Sequence, residues 1–291
     1  MAGAAQWLQG ARPRTLPAAV GPVAAGTGAA AAVDALDTGR ALLALLVALA
    51  LQIGVNYAND FSDGIRGTDT DRAGPLRLVG SGLATPGAVR TAALISFAVA
   101  AVAGLVLAAL TTWWLLTVGA AAIVAAWFYT GGPRPYGYRG LGEVSVFVFF
   151  GLVATVGTTY VQAERVTAVA VLLGVGCGAL ACAILVANNL RDLDGDRTAG
   201  KVTLAVRLGD RRTRRLFAGL MASAYVVLVP VIVVHPTVFL VLVSGGAALL
   251  AARRVLGGAT GQDLVVVLKD TGQTLLIYGV MALVTLAWFG D

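Results

Sequence analysis

The chain has 291 residues, 58% hydrophobic and 12% charged, with 21 Lys+Arg against 15 Asp+Glu and a formal net charge of +6. Soluble domains carry about 25% charged residues, so this composition excludes a water-soluble globular protein. Apolar runs this continuous also exclude barrel strands, which alternate in and out, and an Arg surplus beside a membrane does not point to nucleic acid.

Nine spans are predicted, each near the roughly 20 residues that cross a bilayer. They run over 15–33, 41–58, 88–110, 113–130, 142–162, 167–189, 216–234, 237–252 and 270–289. The first is rich in Ala and Gly, which suits close helix packing. Arg12 and Arg14 precede it, but the early residues lack a cleavage pattern and further spans follow, so it reads as a span and not a leader. With the N-terminus inside, 19 of the 21 Lys and Arg fall on inner loops and span ends, and only Arg40 and Arg165 fall outside. That asymmetry fixes the expected orientation. The outer connections are short, whereas 60–87, 191–215 and 253–269 are predicted as long inner segments, where function is expected. The heavy use of Arg, Ala, Gly and Val fits a GC-rich bacterial genome, hence a multi-pass protein of a bacterial cell membrane. One membrane domain is expected over 1–291.

Carboxylates are scarce, and seven of them cluster. Asp60, Asp63, Asp69 and Asp71 end or follow the second span, and Asp192, Asp194 and Asp196 follow the sixth. Ionisable groups at a membrane boundary are costly to desolvate and are usually functional. On a helix, Asn56, Asn59, Asp60 and Asp63 share one face. Asn188, Asp192 and Asp196 do so too if the helix continues past Gly195. The spacing Asn56-x-x-x-Asp60 repeats as Asn188-x-x-x-Asp192, four spans apart. A parallel internal repeat would bring both acidic ends together across a cavity. Facing carboxylate clusters need cations, and carboxylate and amide oxygens suit Mg²⁺ rather than zinc. Arg66, Arg72 and Arg77 follow the first cluster, and Arg191, Arg197 and Lys201 accompany the second. Carboxylates, Mg²⁺ and guanidinium forks together form a diphosphate-binding constellation. Beside apolar helices, that ligand is expected to be a lipid diphosphate. A cation-coupled transporter is the rival reading; against it, the acids lie at one face and not at the bilayer midplane.

Other features read as structural. Cys177 and Cys182 are small buried residues in one apolar run, His235 precedes Pro236 in a short loop, Arg211–Arg215 anchor topology, and Trp113 and Trp114 belong to an interfacial belt. Tyr129, Tyr136 and Tyr138 read equally as belt residues or as an aromatic wall.

The blocks Asn59-Asp60-x-x-Asp63 and Asp192-x-x-x-Asp196 resemble the paired aspartate motifs of the UbiA-type intramembrane prenyltransferase superfamily. Arg12-Pro13-Arg14-Thr15, Gln52 through Asp60, Gly67-Thr68-Asp69, Gly74-Pro75-Leu76-Arg77, Arg134-Pro135-Tyr136-Gly137-Tyr138 and Asn188-Asn189-Leu190-Arg191-Asp192 are similar to its branch acting on 1,4-dihydroxy-2-naphthoate in menaquinone synthesis. Many superfamily members carry a third aspartate where Gly67 stands here. The resemblance implies an all-α bundle of nine transmembrane helices around a cavity. It further implies Mg²⁺, a polyprenyl diphosphate donor, a dihydroxynaphthoate acceptor and prenylation coupled to decarboxylation. Carried onto this chain, it makes Asp60, Asp63, Asp192 and Asp196 catalytic and, with Asn56 and Asn188, metal-holding. Arg66, Arg72, Arg191 and Lys201 would bind diphosphate, and Tyr129, Arg134, Tyr136 and Tyr138 the acceptor. Other aromatic acceptors, such as hydroxybenzoate or homogentisate, stay open at this point.

Overall fold

The computed structural model describes residues 2–67 and 76–289, and among these every regular element is helical. Arg72, Asp69 and Asp71 lie outside the described residues. The helices are α1 (Ala4–Gly10), α2 (Pro17–Ala31), α3 (Thr38–Arg66), α4 (Pro86–Leu110) and α5 (Leu115–Phe128). Next come α6 (Gly142–Ala163), α7 (Ala168–Arg191), the short α8 (Leu193–Thr198) and α9 (Leu204–Leu208), then α10 (Asp210–Val234), α11 (Pro236–Leu256) and α12 (Gly261–Trp288).

Seven of these, α3, α4, α6, α7, α10, α11 and α12, are long and apolar enough to cross a membrane. The protein is therefore a multi-pass membrane protein. The predicted spans 15–33 and 113–130 are helices α2 and α5, of 15 and 14 residues. At 1.5 Å per residue they reach roughly 21–23 Å, less than the ~30 Å hydrocarbon core.

Charge misplaced two helix ends. The inner segment expected over 253–269 is mostly helix: α11 runs to Leu256 and α12 begins at Gly261. Its charges lie on helical surface, where Arg254 pairs with Asp270. Charged residues mark where a helix leaves the apolar layer, not where its hydrogen bonding stops. For the same reason α3 continues past residue 58 to Arg66. It closes on Gly67, whose left-handed conformation (φ 68°) returns its N–H to Asp63 and Gly64 carbonyls. The whole first acidic stretch is therefore helical.

Small residues set the packing. α2 buries ten of its 15 residues, among them Ala19, Gly21, Ala25 and Gly28. It crosses α12 where Gly279 meets Gly21 so closely that a Cβ on Gly279 would overlap the Gly21 backbone. Without a hydrophobic difference between protein and lipid, such backbone contact and interhelical hydrogen bonds hold helices together. Thr159 supplies one, its hydroxyl donating to the Gly26 carbonyl at 2.8 Å. α6 is regular except for a π-helical stretch, Phe147–Val153, which lies against the glycines of α7, Gly151 touching Gly178 and Gly174. Arg214 is buried and ties α10 to the end of α11, donating to the Val255 and Ala259 carbonyls at 2.7 and 2.9 Å. The predicted anchor run 211–215 is thus partly a helix-to-helix brace.

Candidate active site

The end of α3 is held by main-chain groups. Asp60 is fully buried, and its carboxylate accepts the N–H of Leu78 at 2.7 Å and of Val79 at 3.2 Å. These donors come from the segment that follows residue 75, whose Leu78 packs beneath Gly10 and beside Tyr57 and Phe97. The Arg12 charge also acts on Asp60. One turn later Asp63, equally buried, accepts the Tyr138 hydroxyl and faces Lys201 Nζ at 3.6 Å and Arg77 at 3.9 Å. Asn56 lies on the same face, but its amide N–H groups go to the Ala11 carbonyl and the Thr15 hydroxyl, both at 2.9 Å. Its Oδ1 receives a long 3.5 Å contact from Gln52, so that oxygen is the atom with capacity for a cation.

The end of α7 is held by side chains. The helix breaks at Asp192, three residues before Gly195, and resumes as α8. Backbone bonds nevertheless continue across the joint, from Asp192 N to Asn188 O at 3.1 Å and from Asp196 N to Asp192 O at 2.8 Å. Asn188, Asp192 and Asp196 therefore keep the helical spacing the sequence suggested. Arg191 grips Asp192 with two bonds, Nε at 2.8 Å and Nη2 at 2.7 Å, and also reaches Asn188 Oδ1 at 3.0 Å. Asp196 is buried, whereas the Asp194 side chain is 94% exposed and lies 3.8 Å from Arg197.

The two ends meet around Tyr138. Its hydroxyl holds Asp63, its ring lies 4.6 Å from Lys201 Nζ and 5.6 Å from the Arg66 guanidinium, and its carbonyl accepts Val202 N–H at 2.9 Å. Lys201 in turn donates its backbone N–H to Asp196 O at 2.8 Å. A residue of the second acidic segment thus neutralises a carboxylate of the first. The donors gathered here are carboxylate and amide oxygens, the set that suits a hard cation such as Mg²⁺. Among the described residues no three acids, histidines or cysteines form a ready metal cage. Mg²⁺ commonly takes only one or two carboxylates and completes its shell with phosphate oxygens and water, so separate buried pairs fit it.

The remaining predicted residues divide. Arg66 donates to the Thr130 and Gly132 carbonyls, pinning the turn after α5. Arg134 and Tyr138 line one cavity of about 450 Å³ at the protein surface. Tyr129 and Tyr136 do not line it; they stack edge to face at 5.5 Å against the start of α6, where Tyr136 bonds Ser145 at 2.8 Å. Burial raises the Tyr136 phenol above its ordinary pKa and the Ser145 bond draws it partly back, so it stays neutral at physiological pH. Two groups stand outside the predicted set of site residues. Arg77 joins the Asp63 cluster, although it was not among the four predicted diphosphate ligands. Glu143, buried in α6, accepts Asn189 Nδ2 at 3.0 Å beside the second motif. The signal for Glu143 was present: it is a lone carboxylate inside a predicted span.

Buried, paired carboxylates flanked by Arg and Lys lie at the ends of apolar helices, and the chain belongs to the UbiA prenyltransferase family, whose model matches residues 19–268. It is 57% identical over 288 residues to a 1,4-dihydroxy-2-naphthoate octaprenyltransferase of Mycobacterium tuberculosis, with 99% of each chain covered. The protein of that name from Escherichia coli is 42% identical over 76% of this chain and 74% of its own. Among solved structures, a UbiA homolog from Aeropyrum pernix K1 superposes with a TM-score of 0.73 at 16% identity, covering 92% of this chain and 97% of the other. A UbiA homolog from Archaeoglobus fulgidus, bound to DMAPP and Mg²⁺, superposes with a TM-score of 0.65 at 15% identity, covering 96% and 99%. Both likenesses extend across nearly the whole fold.

Proposed function

We propose that this protein transfers a polyprenyl chain from polyprenyl diphosphate to 1,4-dihydroxy-2-naphthoate, with loss of CO₂, giving demethylmenaquinol and diphosphate. The observation that carries this reading is the Lys201–Asp63 contact beside Tyr138, which joins two acidic helix ends into one charged site. The names of the relatives support the acceptor.

Asp60, Asp63, Asp192 and Asp196, with the oxygens of Asn56 and Asn188, would hold Mg²⁺ on the diphosphate. The metal, when bound, supplies charge neutralisation that makes diphosphate a good leaving group. Lys201, Arg191 and Arg77 sit against those same carboxylates and are the cations placed to take phosphate oxygens; Arg66 and Arg72 join them in this proposal. The allylic C–O bond breaks with its electron pair leaving on diphosphate. The naphthoate carbon that bears the carboxylate attacks the prenyl cation, forming the C–C bond. The C–CO₂⁻ bond then breaks, and its electron pair restores the aromatic ring as CO₂ departs. Apolar helix walls keep water from the cation. Arg134 pairs with the acceptor carboxylate and Tyr138 forms the aromatic side of the site, with Tyr129 and Tyr136, stacked on each other, packed behind it. The polyprenyl tail lies among small-residue helices; an apolar groove of about 400 Å³ between α2, α3 and α12, lined by Val23, Leu42 and Trp288, offers room toward the other end of the bundle.

All nine predicted spans would cross, α2 and α5 included, with the N-terminus and both acidic ends at the cytoplasmic face of a bacterial membrane. The loop-charge asymmetry supports this orientation. Mass spectrometry of the lipid formed by purified protein, Mg²⁺, mixed polyprenyl diphosphates and a panel of aromatic acceptors tests the reading. A prenylated, decarboxylated naphthalenediol is the expected product. A product built only on hydroxybenzoate or homogentisate would overturn the acceptor, and absence of diphosphate release would overturn the chemistry.

A further inference from the structure

The surface cavity of about 450 Å³ is walled by two segments, 134–139 and 200–207. Val202 N–H bonds the Tyr138 carbonyl at 2.9 Å, and Arg207 Nη2 donates to the Arg139 carbonyl at 2.8 Å, so the walls are stapled to each other. Three arginines line it, Arg134, Arg139 and Arg207, and among the described residues no carboxylate does. Its apolar surface comes from Pro135, Tyr138 and Val202. Tyr138 is the partition: one side faces this cavity, while its hydroxyl holds Asp63 in the acidic site. Cavities of roughly 300–1,000 Å³ hold small organic ligands. Guanidinium forks recognise carboxylate in a planar, bidentate manner, and Arg stacks on flat aromatic rings. A long apolar prenyl chain has no complement in a three-arginine cavity, but a flat aromatic acid has one for each of its parts.

We infer that this cavity is the docking site for the carboxylate of the aromatic acceptor, and that Arg139 and Arg207, together with Arg134, select an acidic aromatic over a neutral phenol. The inference deepens the dihydroxynaphthoate reading and rests on it. It assigns roles to two residues outside both acidic motifs. It also separates the entry routes of the substrates: the donor reaches Asp63 from the apolar helices, the acceptor from the polar side of Tyr138.

The test is equilibrium binding to the full chain in phosphatidylcholine nanodiscs, read by naphthalene fluorescence, with 1-hydroxy-2-naphthoate and 1-naphthol as probes and no donor present. Wild type is expected to prefer the carboxylate by about tenfold or more, the size of one charge-assisted bidentate contact. R139Q/R207Q should reduce that preference to about threefold or less without changing 1-naphthol affinity, and R139K/R207K should recover part of it. Because Arg207 also staples the walls, R139Q alone is measured too; it leaves the Arg207 bond to the Arg139 carbonyl in place and should lose part of the preference. In turnover, R139Q/R207Q should raise the KM for dihydroxynaphthoate and leave the KM for polyprenyl diphosphate unchanged. An undiminished preference in R139Q/R207Q overturns the inference. So does an equal loss for 1-naphthol, or a loss confined to inorganic diphosphate binding, which would make the cavity a diphosphate exit. If the arginine-dependent preference is found but dihydroxynaphthoate is never prenylated, the parent reading fails and the docking site stands for another aromatic acid. If dihydroxynaphthoate is prenylated and R139Q/R207Q behaves as wild type, the docking site fails alone.

Discussion

The ends of α3 and α7 carry similar residues and are held by different means. At α3 the helix runs unbroken beyond Asp63, and Asp60 is fixed by two backbone N–H groups of a packed segment. At α7 the helix breaks at Asp192, and the carboxylate is held by the guanidinium of its own neighbour. A carboxylate bound to main-chain N–H groups keeps its place whatever cation approaches. One bound to an arginine must exchange that partner before it can serve another. Asp60 therefore makes the first end a fixed half of the site and Asp192 makes the second an exchangeable half, while Asp63, held by the side chains of Tyr138, Lys201 and Arg77, lies at the junction between them.

The largest expected effect is at the fixed half. Asp60→Ala should lower turnover by about 10³-fold, on the scale of losing a preorganised charge contact. It also strands the buried Leu78 N–H, at about 1–3 kcal/mol, and frees the part-buried Val79 N–H. Hydrogen exchange at the Leu78 and Val79 amides should therefore rise in Asp60→Ala and stay unchanged in Asp192→Ala. Equal exchange in both variants would erase the distinction between the halves. At the exchangeable half, Arg191→Ala should raise the KM for polyprenyl diphosphate roughly tenfold, as expected for one charge-assisted hydrogen bond. Arg191→Lys should fall between, because it keeps the charge and loses the fork. A KM unchanged in both would reduce Arg191 to a structural counter-charge.

Tyr138→Phe removes the hydroxyl from Asp63 and keeps the ring against Lys201. A hydrogen bond to a carboxylate contributes about 1.5 kcal/mol or more, so kcat/KM should drop about tenfold. No change would show that the junction acts through Lys201 alone. Asp194→Ala should have the smallest effect, within about twofold, since exposed ion pairs such as Asp194–Arg197 contribute little. A large loss there would mean that the outer face of α8 also carries the site.

Much of this was legible in the sequence because it follows from periodicity and scarcity. Each predicted apolar run coincides with a helix, seven of them long enough to cross a membrane, and the rare carboxylates Asp60 and Asp63 lie buried on α3 as their helical spacing suggested. Helix ends were less legible. Arg254 on α11 pairs with Asp270 on α12, whereas 253–269 reads as loop when only hydropathy is counted. Gly195, the usual kind of punctuation, marked only a possible break, and the helix breaks at Asp192 instead. The side-chain bonds of Arg191 give that joint its form, and no spacing rule reports them. Partners more than 40 residues apart were the least legible. Tyr138 on Asp63, Arg66 on the turn after α5, and Glu143 with Asn189 depend on which helices neighbour one another, and local patterns do not encode that.

Both acidic ends are taken to grip one cation–diphosphate unit. Donor-dependent binding of Mn²⁺, a spectroscopic substitute for Mg²⁺, tests this directly by electron paramagnetic resonance on the purified protein with a non-hydrolysable prenyl diphosphate. Asp63→Asn and Asp192→Asn should each weaken Mn²⁺ binding by about tenfold or more, and only when the prenyl diphosphate is present. Wild-type binding in Asp192→Asn would contradict the two-sided clamp and leave the α3 end to act alone.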